Sequence, residues 1–319
     1  MLAACAQPRF QDSPSSGLSP HLDNQVAVME DGYRLPYWRW LPEEKPPRAV
    51  ILALHGFNDY RNAFSGAAPR LAAEGFAIYA YDQRGFGQTS QRGLWPGEDR
   101  LVADAVSFGR LLRTRYPDAP LMLLGDSMGG AVSVLASQRP EQPFDGSILV
   151  APAVWGKDTM SWPIRAAMWL TVHTFPGSTW TGRSLDVRPS DNAEMLRSLG
   201  RDANVIKRTR ADTIYGLSRL MSDAEAAAGG MHGRVLVLVG KHDEIVHRNA
   251  SCRFLAGLPN PAANATVAVY PQGYHMLLRD LGRAVVVRDI IAWLEHRPLP
   301  SGNELPPHSP ALAQFCKGD

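Results

Sequence analysis

Short, almost continuous apolar runs alternate along this chain with longer amphipathic segments. The runs cover residues 49–54, 76–81, 121–124, 147–152, 234–240 and 266–270. Runs of this length suit strands that are covered on both faces, and several of the segments between them have the apolar period of a helix. Because alternating buried strands and helices build a parallel sheet with helices on both sides, the pattern predicts a doubly wound α/β fold.

Other segments depart from this rhythm. Residues 25–30 and 33–41 alternate around Asp31-Gly32, which predicts an antiparallel hairpin, and Pro36 favours an edge position for it. Helices are predicted at residues 62–74, 98–116 and 283–295. Residues 154–230 contain half of the chain's 8 tryptophans and read as helices without sheet strands, which predicts a cap over the carboxyl ends of the strands.

The chain is therefore divided into five parts. The two ends are rich in Pro, Ser, Gly and polar residues and lack an apolar period, so they are predicted to have no packed core. The expected parts are a flexible tether at 1–24, the α/β core at 25–153 and 231–297, the helical cap at 154–230, and a mobile tail at 298–319.

Composition excludes several kinds of protein. The 33 basic and 31 acidic residues are interspersed and give a formal net charge of +2, so nucleic-acid binding has no electrostatic support. No apolar stretch reaches roughly 18 residues, the length typical of a membrane-spanning helix. No glycine-rich phosphate loop follows the first buried strand and no metal-ligand spacing occurs, so we predict no cofactor, no metal and no partner protein.

The 3 cysteines form neither a disulfide framework nor a spaced metal site. Cys252 is expected to be a small apolar residue on a helix, and a bridge to Cys316 in an oxidising compartment is the alternative. Residues 2–5, Leu-Ala-Ala-Cys, resemble the end of a bacterial lipoprotein signal, although no charged or apolar signal region precedes them here. A lipidated Cys5 predicts a membrane tether in the bacterial cell envelope, facing the periplasm; a chance cysteine predicts a cytoplasmic protein.

The run at residues 121–124 ends in Gly125-Asp126-Ser127-Met128-Gly129, and an apolar stretch that suits a buried helix follows. A strand, a sharp turn and a helix form the context in which G-x-S-x-G exposes a serine hydroxyl as a nucleophile. Small residues are needed on both sides so that the strand and the helix can approach each other. The alternative is a glycine-rich turn that only joins two elements.

A serine hydroxyl is a weak nucleophile at neutral pH and needs an adjacent base that a third group orients. His275 is the only histidine between the strand at 266–270 and the closing helix, so we predict it as the base. Asp243 and Glu244 follow the strand at 234–240 and are the candidates for the acid.

Taken together, these features resemble the monoacylglycerol lipase and lysophospholipase branch of the α/β-hydrolases, of the serine aminopeptidase S33 type. The resemblance spans residues 26–293 and is carried by His55-Gly56 and by residues 81–87, 125–130, 240–243 and 273–275. It implies an α/β-hydrolase fold with a helical cap and the chain order serine, acid, histidine. Ser127 is then the nucleophile, Asp243 rather than Glu244 the acid, and His275 the base.

Acyl transfer also needs backbone N–H donors for the oxyanion. One is predicted at Met128, directly after the serine, and the other at Phe57, in the loop after the first buried strand. His55 is interpreted as a buttress of that loop, and residues 81–87 as a structural turn. The predicted activity is a serine carboxylic-ester hydrolase that works through an acyl-enzyme, on monoacylglycerols, lysophospholipids or similar medium-to-long acyl esters.

The cap's apolar side chains favour that class of substrate. Trp162, Met168 and Trp169 are predicted to contact an acyl or aromatic group, and ordinary packing within the cap is the alternative. An acyltransferase, or a cofactor-free C–C hydrolase or haloperoxidase-like enzyme, would use the same triad. A lipoprotein that binds acyl chains without turnover is the alternative of a different class.

Overall fold

The structure is a computed structural model that describes residues 7–12, 17–44, 46–156, 162–182, 187–259 and 264–318. Its strands, in chain order, are β1 (His21–Asp23), β2 (Val26–Val28), β3 (Arg34–Trp40), β4 (Ala49–Leu54), β5 (Phe76–Tyr81), β6 (Leu121–Asp126), β7 (Gly146–Val150), β8 (Thr179–Trp180), β9 (Thr209–Arg210), β10 (Arg234–Gly240) and β11 (Ala265–Tyr270). Its helices are α1 (Ala68–Ala73), α2 (Glu98–Arg115), α3 (Met128–Ala136), α4 (Trp162–Thr174), α5 (Ala193–Arg201), α6 (Ala211–Ala226), α7 (Arg248–Ala256), α8 (Arg283–Leu294) and α9 (Pro310–Lys317).

A 9-stranded sheet forms the centre of the described chain, in the order β1-β2-β3-β5-β4-β6-β7-β10-β11. From β5 to β11 all neighbours pair in parallel, and β4 and β5 have no exposed residue. The apolar runs are continuous because helices cover both faces of these strands. The predicted mostly parallel, doubly wound sheet is confirmed.

The strand order reverses direction at β4. The chain passes from β4 to β5 on one side and then returns to place β6 on the other side of β4. At such a switch point the loops that follow the two neighbouring strands diverge and leave a crevice at their carboxyl ends. The loop after β4 and the turn after β6 therefore meet at the edge of the sheet where a site is expected.

The antiparallel hairpin is present as β2 and β3, and a further short strand, β1, pairs with β2 at the outer edge. Pro36 does not lie on an edge strand, because β3 is flanked by β2 and β5. The pairing of β3 with β5 begins one residue later, at Tyr37. The prediction of an edge position for Pro36 is therefore wrong.

The segment between β7 and β10 is largely helical, with α4, α5 and α6 as its main elements. It also contains one small antiparallel pair, in which Thr179 faces Arg210 and Trp180 faces Thr209. The prediction of a cap without strands is therefore wrong in this detail. Among the described residues, no helix is both long enough and apolar enough to span a membrane.

Both ends of the chain contact the core where the structure describes them. Gln11 is buried and its N–H donates to the Trp95 carbonyl at 3.0 Å, so this part of the expected tether packs on the core. The expected mobile tail is wrong for α9, which buries Leu312 and Phe315. Cys5 lies outside the described residues.

Cys252 on α7 and Cys316 on α9 form a disulfide, with their Cα atoms 5.7 Å apart. The expectation that these cysteines form no disulfide is wrong. A spacing of 64 residues carries no sequence signal for pairing, and only the packing of α9 against α7 brings the two thiols together.

Candidate active site

Ser127 occupies the turn between β6 and α3 with φ 51° and ψ −112°, a conformation that residues other than glycine rarely adopt. The turn is tight because its glycines allow close approach. A Cβ atom on Gly125 would lie 2.3 Å from the Gly129 carbonyl oxygen, and one on Gly129 would lie 2.0 Å from the Leu54 carbonyl oxygen. The two glycines thus let α3 begin directly against β4 and β6.

Ser127, His275 and Asp243 form a hydrogen-bonded chain. Nε2 of His275 is 2.9 Å from Oγ of Ser127, and Nδ1 of His275 is 2.8 Å from Oδ2 of Asp243. The three residues follow β6, β11 and β10, whose carboxyl ends lie at the same edge of the sheet. With Nδ1–H donating to the carboxylate, Nε2 is free to accept the serine proton.

Asp243 is held in place by its own loop. Its Oδ1 accepts hydrogen bonds from the backbone N–H groups of Ile245 and Val246, each at 2.9 Å, which leaves Oδ2 for the histidine. Glu244, the other candidate acid, points elsewhere: it is exposed and accepts the backbone N–H of Arg188 at 2.6 Å.

Burial alone would lower the pKa of His275, but the charge and hydrogen bond of the Asp243 carboxylate overcome this effect. Asp126 and Asp280 act in the same direction, and the net result is a raised pKa. The site therefore favours the imidazolium form that a proton taken from serine would create.

The loop after β4 lies against the serine. A Cβ on Gly56 would be 3.3 Å from the Ser127 Cβ. Phe57, the next residue of the loop, therefore begins close to Ser127. Within the described chain, the N–H groups of Phe57 and Met128 have no hydrogen-bond acceptor. Two unpaired donors beside a serine hydroxyl can bind a negatively charged oxygen.

His55 supports this loop through two hydrogen bonds. It is fully buried; its Nδ1–H donates to the Gly56 carbonyl at 2.8 Å, and its Nε2 accepts the backbone N–H of Gln83 at 2.9 Å. Burial lowers the pKa of His55, which keeps the ring neutral in this arrangement. This arrangement agrees with its interpretation as a buttress.

The turn at residues 81–87 supports the same loop through buried ion pairs. Asp82 accepts the backbone N–H of Arg61 at 2.9 Å and pairs with the Arg61 guanidinium. Arg84 lies between two carboxylates, with Nε and Nη2 donating to Asp104 and Nη1 donating to Asp31 at 2.6 Å. These pairs hold the segments around β5 and α2 together behind the site.

Ser127 and His275 line a cavity of about 260 Å³, whose other walls include the apolar side chains of Trp155, Leu217 and Met221. A second cavity of about 770 Å³ lies between α4 and α6, and Phe57 lines both. Its lining is mostly apolar and includes Ile164, Met168 and Ile214.

The predicted substrate contacts do not all lie at these cavities. Met168 lines the larger one, but Trp162 and Trp169 line neither and are 77% and 54% exposed. The prediction of a substrate contact is thus not supported for either tryptophan. Val172 is the only buried residue of α4. The other apolar residues are spread around the helix, so residue type alone does not indicate which face contacts a substrate.

Several polar residues of the site were not singled out by the sequence analysis. Asp126 lines the cavity beside Ser127, and Arg279 donates to Asp59 at 2.5 Å at its rim. Asp280 accepts the Tyr274 N–H at 2.8 Å and the Ser190 hydroxyl at 2.6 Å, which ties the histidine loop to the cap segment between β8 and α5. Asp126 was visible within the G-x-S-x-G motif; the others carry no motif.

A metal centre finds no support in the part of the chain that the structure describes. No group of three or more His, Cys, Asp or Glu residues is arranged there to hold a metal ion.

Known proteins match most of this chain. Residues 45–282 match the family described as serine aminopeptidase, S33. Monoglyceride lipase from Mus musculus is 27% identical over 301 residues, covering 90% of this chain and 95% of that protein. Monoacylglycerol lipase from Mycolicibacterium smegmatis is 24% identical over 278 residues, covering 82% of this chain and 93% of that protein.

Solved structures share the fold. A soluble variant of monoglyceride lipase from Saccharomyces cerevisiae, in complex with a substrate analog, has a TM-score of 0.73 at 20% identity and covers 92% of this chain and all of its own. Paleococcus ferrophilus monoacylglycerol lipase has a TM-score of 0.68 at 21% identity, with 82% and 98% coverage. The chain belongs to the serine aminopeptidase S33 family and is an α/β-hydrolase of the monoacylglycerol-lipase-like branch, an ester hydrolase of the lipase and esterase type.

Proposed function

We propose that this chain hydrolyses monoacylglycerols or closely related medium-to-long acyl esters through Ser127, His275 and Asp243. The observation that carries the mechanism is the hydrogen-bonded series from Asp243 through His275 to the Ser127 hydroxyl. The names of the monoacylglycerol lipase relatives support the substrate class.

The reaction follows from the positions of these groups. His275 Nε2 accepts the Ser127 proton as Oγ attacks the ester carbonyl, and Asp243 stabilises the resulting imidazolium. The N–H groups of Phe57 and Met128 donate to the oxyanion. His275 then gives its proton to the departing alcohol, and water repeats the same steps on the acyl-enzyme to release the acid and restore the serine.

The direct test is a fluorophosphonate probe together with the Ser127→Ala variant. The wild type should be labelled, and the variant should lose both the label and at least about a thousandfold of kcat, since the remaining groups cannot replace the nucleophile. The variant's melting temperature serves as the folding control. A folded variant with full esterase activity would refute the role of Ser127.

The larger cavity supports an acyl chain rather than an acetyl group. It is apolar, it lies under the cap, and it shares Phe57 with the cavity that holds Ser127. Because Phe57 lines both cavities, we propose that an acyl chain attached at Ser127 extends past Phe57 into this apolar space. Burial of each further methylene there would add to binding.

A chain-length series of p-nitrophenyl and monoacylglycerol esters tests this assignment. Ala167→Phe should fill the cavity that Ala167 lines and lower kcat/KM for long acyl esters about tenfold, with little effect on acetate. Ala166→Phe is the matched control, because Ala166 is the adjacent residue on α4 and does not line that cavity. Strict preference of the wild type for acetate would overturn the acyl assignment.

We also propose that the protein works in an oxidising compartment, the bacterial cell envelope, with Cys5 as a lipid attachment site. The disulfide between Cys252 and Cys316 supports this location, because such bridges persist outside the reducing cytoplasm. Metabolic labelling with a palmitate analogue tests Cys5, and alkylation of free thiols in intact cells tests the bridge. Absence of lipid on Cys5 together with free Cys252 and Cys316 thiols would reject the location.

A further inference from the structure

Asp126 is a carboxylate inside the catalytic cavity that the proposed mechanism does not use. It ends β6 directly before Ser127, lines the same cavity, and its Oδ2 lies 3.7 Å from the position that a Cβ on Gly56 would take. Across the described residues, no donor forms a hydrogen bond to its carboxylate. An ionised carboxylate without a hydrogen-bond partner is costly in a half-buried place. The charges of neighbouring groups therefore determine how readily Asp126 ionises.

The charged groups that act on the pKa of Asp126 come from three loops. His275 and Arg279 follow β11, Asp59 follows β4, and Asp243 follows β10. The adjoining strand β7 and helix α3 contain no charged residue. Arg279 also lowers the pKa of Asp126, and its guanidinium is paired with Asp59 at 2.5 Å.

The remaining cation is the one that the reaction creates on His275. Burial raises the pKa of Asp126 to about 6, and the charge of His275 opposes this rise. The same interaction raises the pKa of His275, where Asp126 acts after Asp243. Above about pH 6, therefore, most Asp126 side chains are charged, in the same cavity that His275 lines.

We propose that Asp126 is a second electrostatic partner of His275 and stabilises the imidazolium that forms when Ser127 is attacking or being released. Asp243 orients the ring through a hydrogen bond, whereas Asp126 acts through its charge alone. Asp126 is thus a positioning residue that works through His275, and the inference rests on the proposed function.

The test is the pH profile of kcat/KM for Asp126→Asn, which removes the charge with little change in shape. The acidic limb reports the proton that His275 must lose before it can act as base. Without the Asp126 charge the imidazolium is less stable, so the limb should move to lower pH by about half a unit to one unit. The plateau should fall about threefold to tenfold, since the same stabilisation is lost from the transition state.

Matched variants separate charge from structure. Asp118→Asn removes the same charge from an exposed turn and should leave the profile unchanged. Asp126→Glu should restore much of the wild-type limb, and Asp126→Ser replaces the Asn variant if that protein does not fold. A lower plateau without a shift of the limb would mean a structural role and would overturn the proposal.

The Ser127→Ala variant distinguishes failure of the proposed role of Asp126 from failure of the proposed function. If Ser127→Ala is inactive and Asp126→Asn has the wild-type limb, only the role of Asp126 is refuted. If Ser127→Ala stays active, the proposed function itself fails.

Discussion

Ser127 holds a backbone conformation that costs roughly 1–3 kcal/mol, and neighbouring hydrogen bonds keep it there. Its N–H donates to the Val150 carbonyl at 2.9 Å, and its carbonyl accepts the N–H groups of Gly130, Ala131 and Ala153. The serine is therefore fixed by β7 and by the first turn of α3 together. This fixation presents the hydroxyl to His275 before any substrate arrives.

Asp243 and Glu244 offer a direct comparison, because they are adjacent carboxylates and only one contacts His275. Asp243→Asn should lower kcat by about a thousandfold or more, because the amide favours the wrong histidine tautomer and cannot stabilise the imidazolium. Glu244→Gln should stay within about twofold of the wild type, since Glu244 is exposed and its hydrogen bond is to the Arg188 N–H rather than to His275. Steady-state kinetics on one ester checks both, and equal losses would contradict the assignment.

Individual residues were predictable to different degrees. Ser127 and His275 stand next to strand ends, and their positions in the sequence were enough to predict them, whereas Asp243 was preferred to Glu244 through the resemblance to the hydrolase family. The orientation of Trp162 and Trp169 was not predictable, because α4 is apolar on most of its surface and has no single apolar face. Burial raises the pKa of Asp126, and burial is a property of the folded chain that the sequence does not show.

At the scale of elements, the contact between α3 and β4 has no spare space. A Cβ on Gly129 would lie 2.0 Å from a backbone oxygen of Leu54, which no side-chain movement can relieve. The helix would have to move away from the strand, and Ser127 would move with it.

Gly129→Ala should therefore lower the free energy of unfolding by about 3 kcal/mol or more and reduce kcat in any protein that folds. Gly200→Ala is the control within α5, where a Cβ has nothing within 4 Å and should stabilise by up to about 1 kcal/mol. Urea unfolding of both variants measures the difference. Equal stability of the two variants would contradict the packing argument.

The predicted element boundaries were accurate where the apolar period was strong. They were less accurate where capping residues determine the first residue of a helix. The predicted helix at 98–116 is observed as α2, and the strand at 234–240 as β10. The predicted helix at 62–74 is shorter, because Pro69 occupies the first turn of α1. Near the C-terminus, the Ser309 side chain caps α9 by accepting the Leu312 N–H at 3.2 Å. The Pro-, Ser- and Gly-rich composition of this segment instead predicted a tail without a helix.

At the scale of the whole molecule, the disulfide joins the helix after the acid loop to the last described helix. It closes a loop across a sequence separation of 64 residues that contains β11, His275 and α8. Cross-linking of this kind restricts the unfolded chain more than the folded one.

Cys252→Ser should lower the free energy of unfolding by up to about 4 kcal/mol and lower the melting temperature. The wild type with reductant should melt near the variant, whereas reductant should leave the variant unchanged. Calorimetry with and without reductant makes both comparisons. An unchanged melting temperature of the reduced wild type would show that the bridge does not form or does not stabilise the fold.

The position of Cys316 also sets the order in which the molecule can be completed. The ribosome makes Ser127, Asp243, α7 and His275 before Cys316, so all three residues of the proposed triad are made before the disulfide can form. Formation of the disulfide then requires an oxidant to react after Cys316 has been made. A nascent or prematurely released polypeptide that lacks residue 316 cannot form this disulfide, so its unfolded chain is not restricted by the bridge.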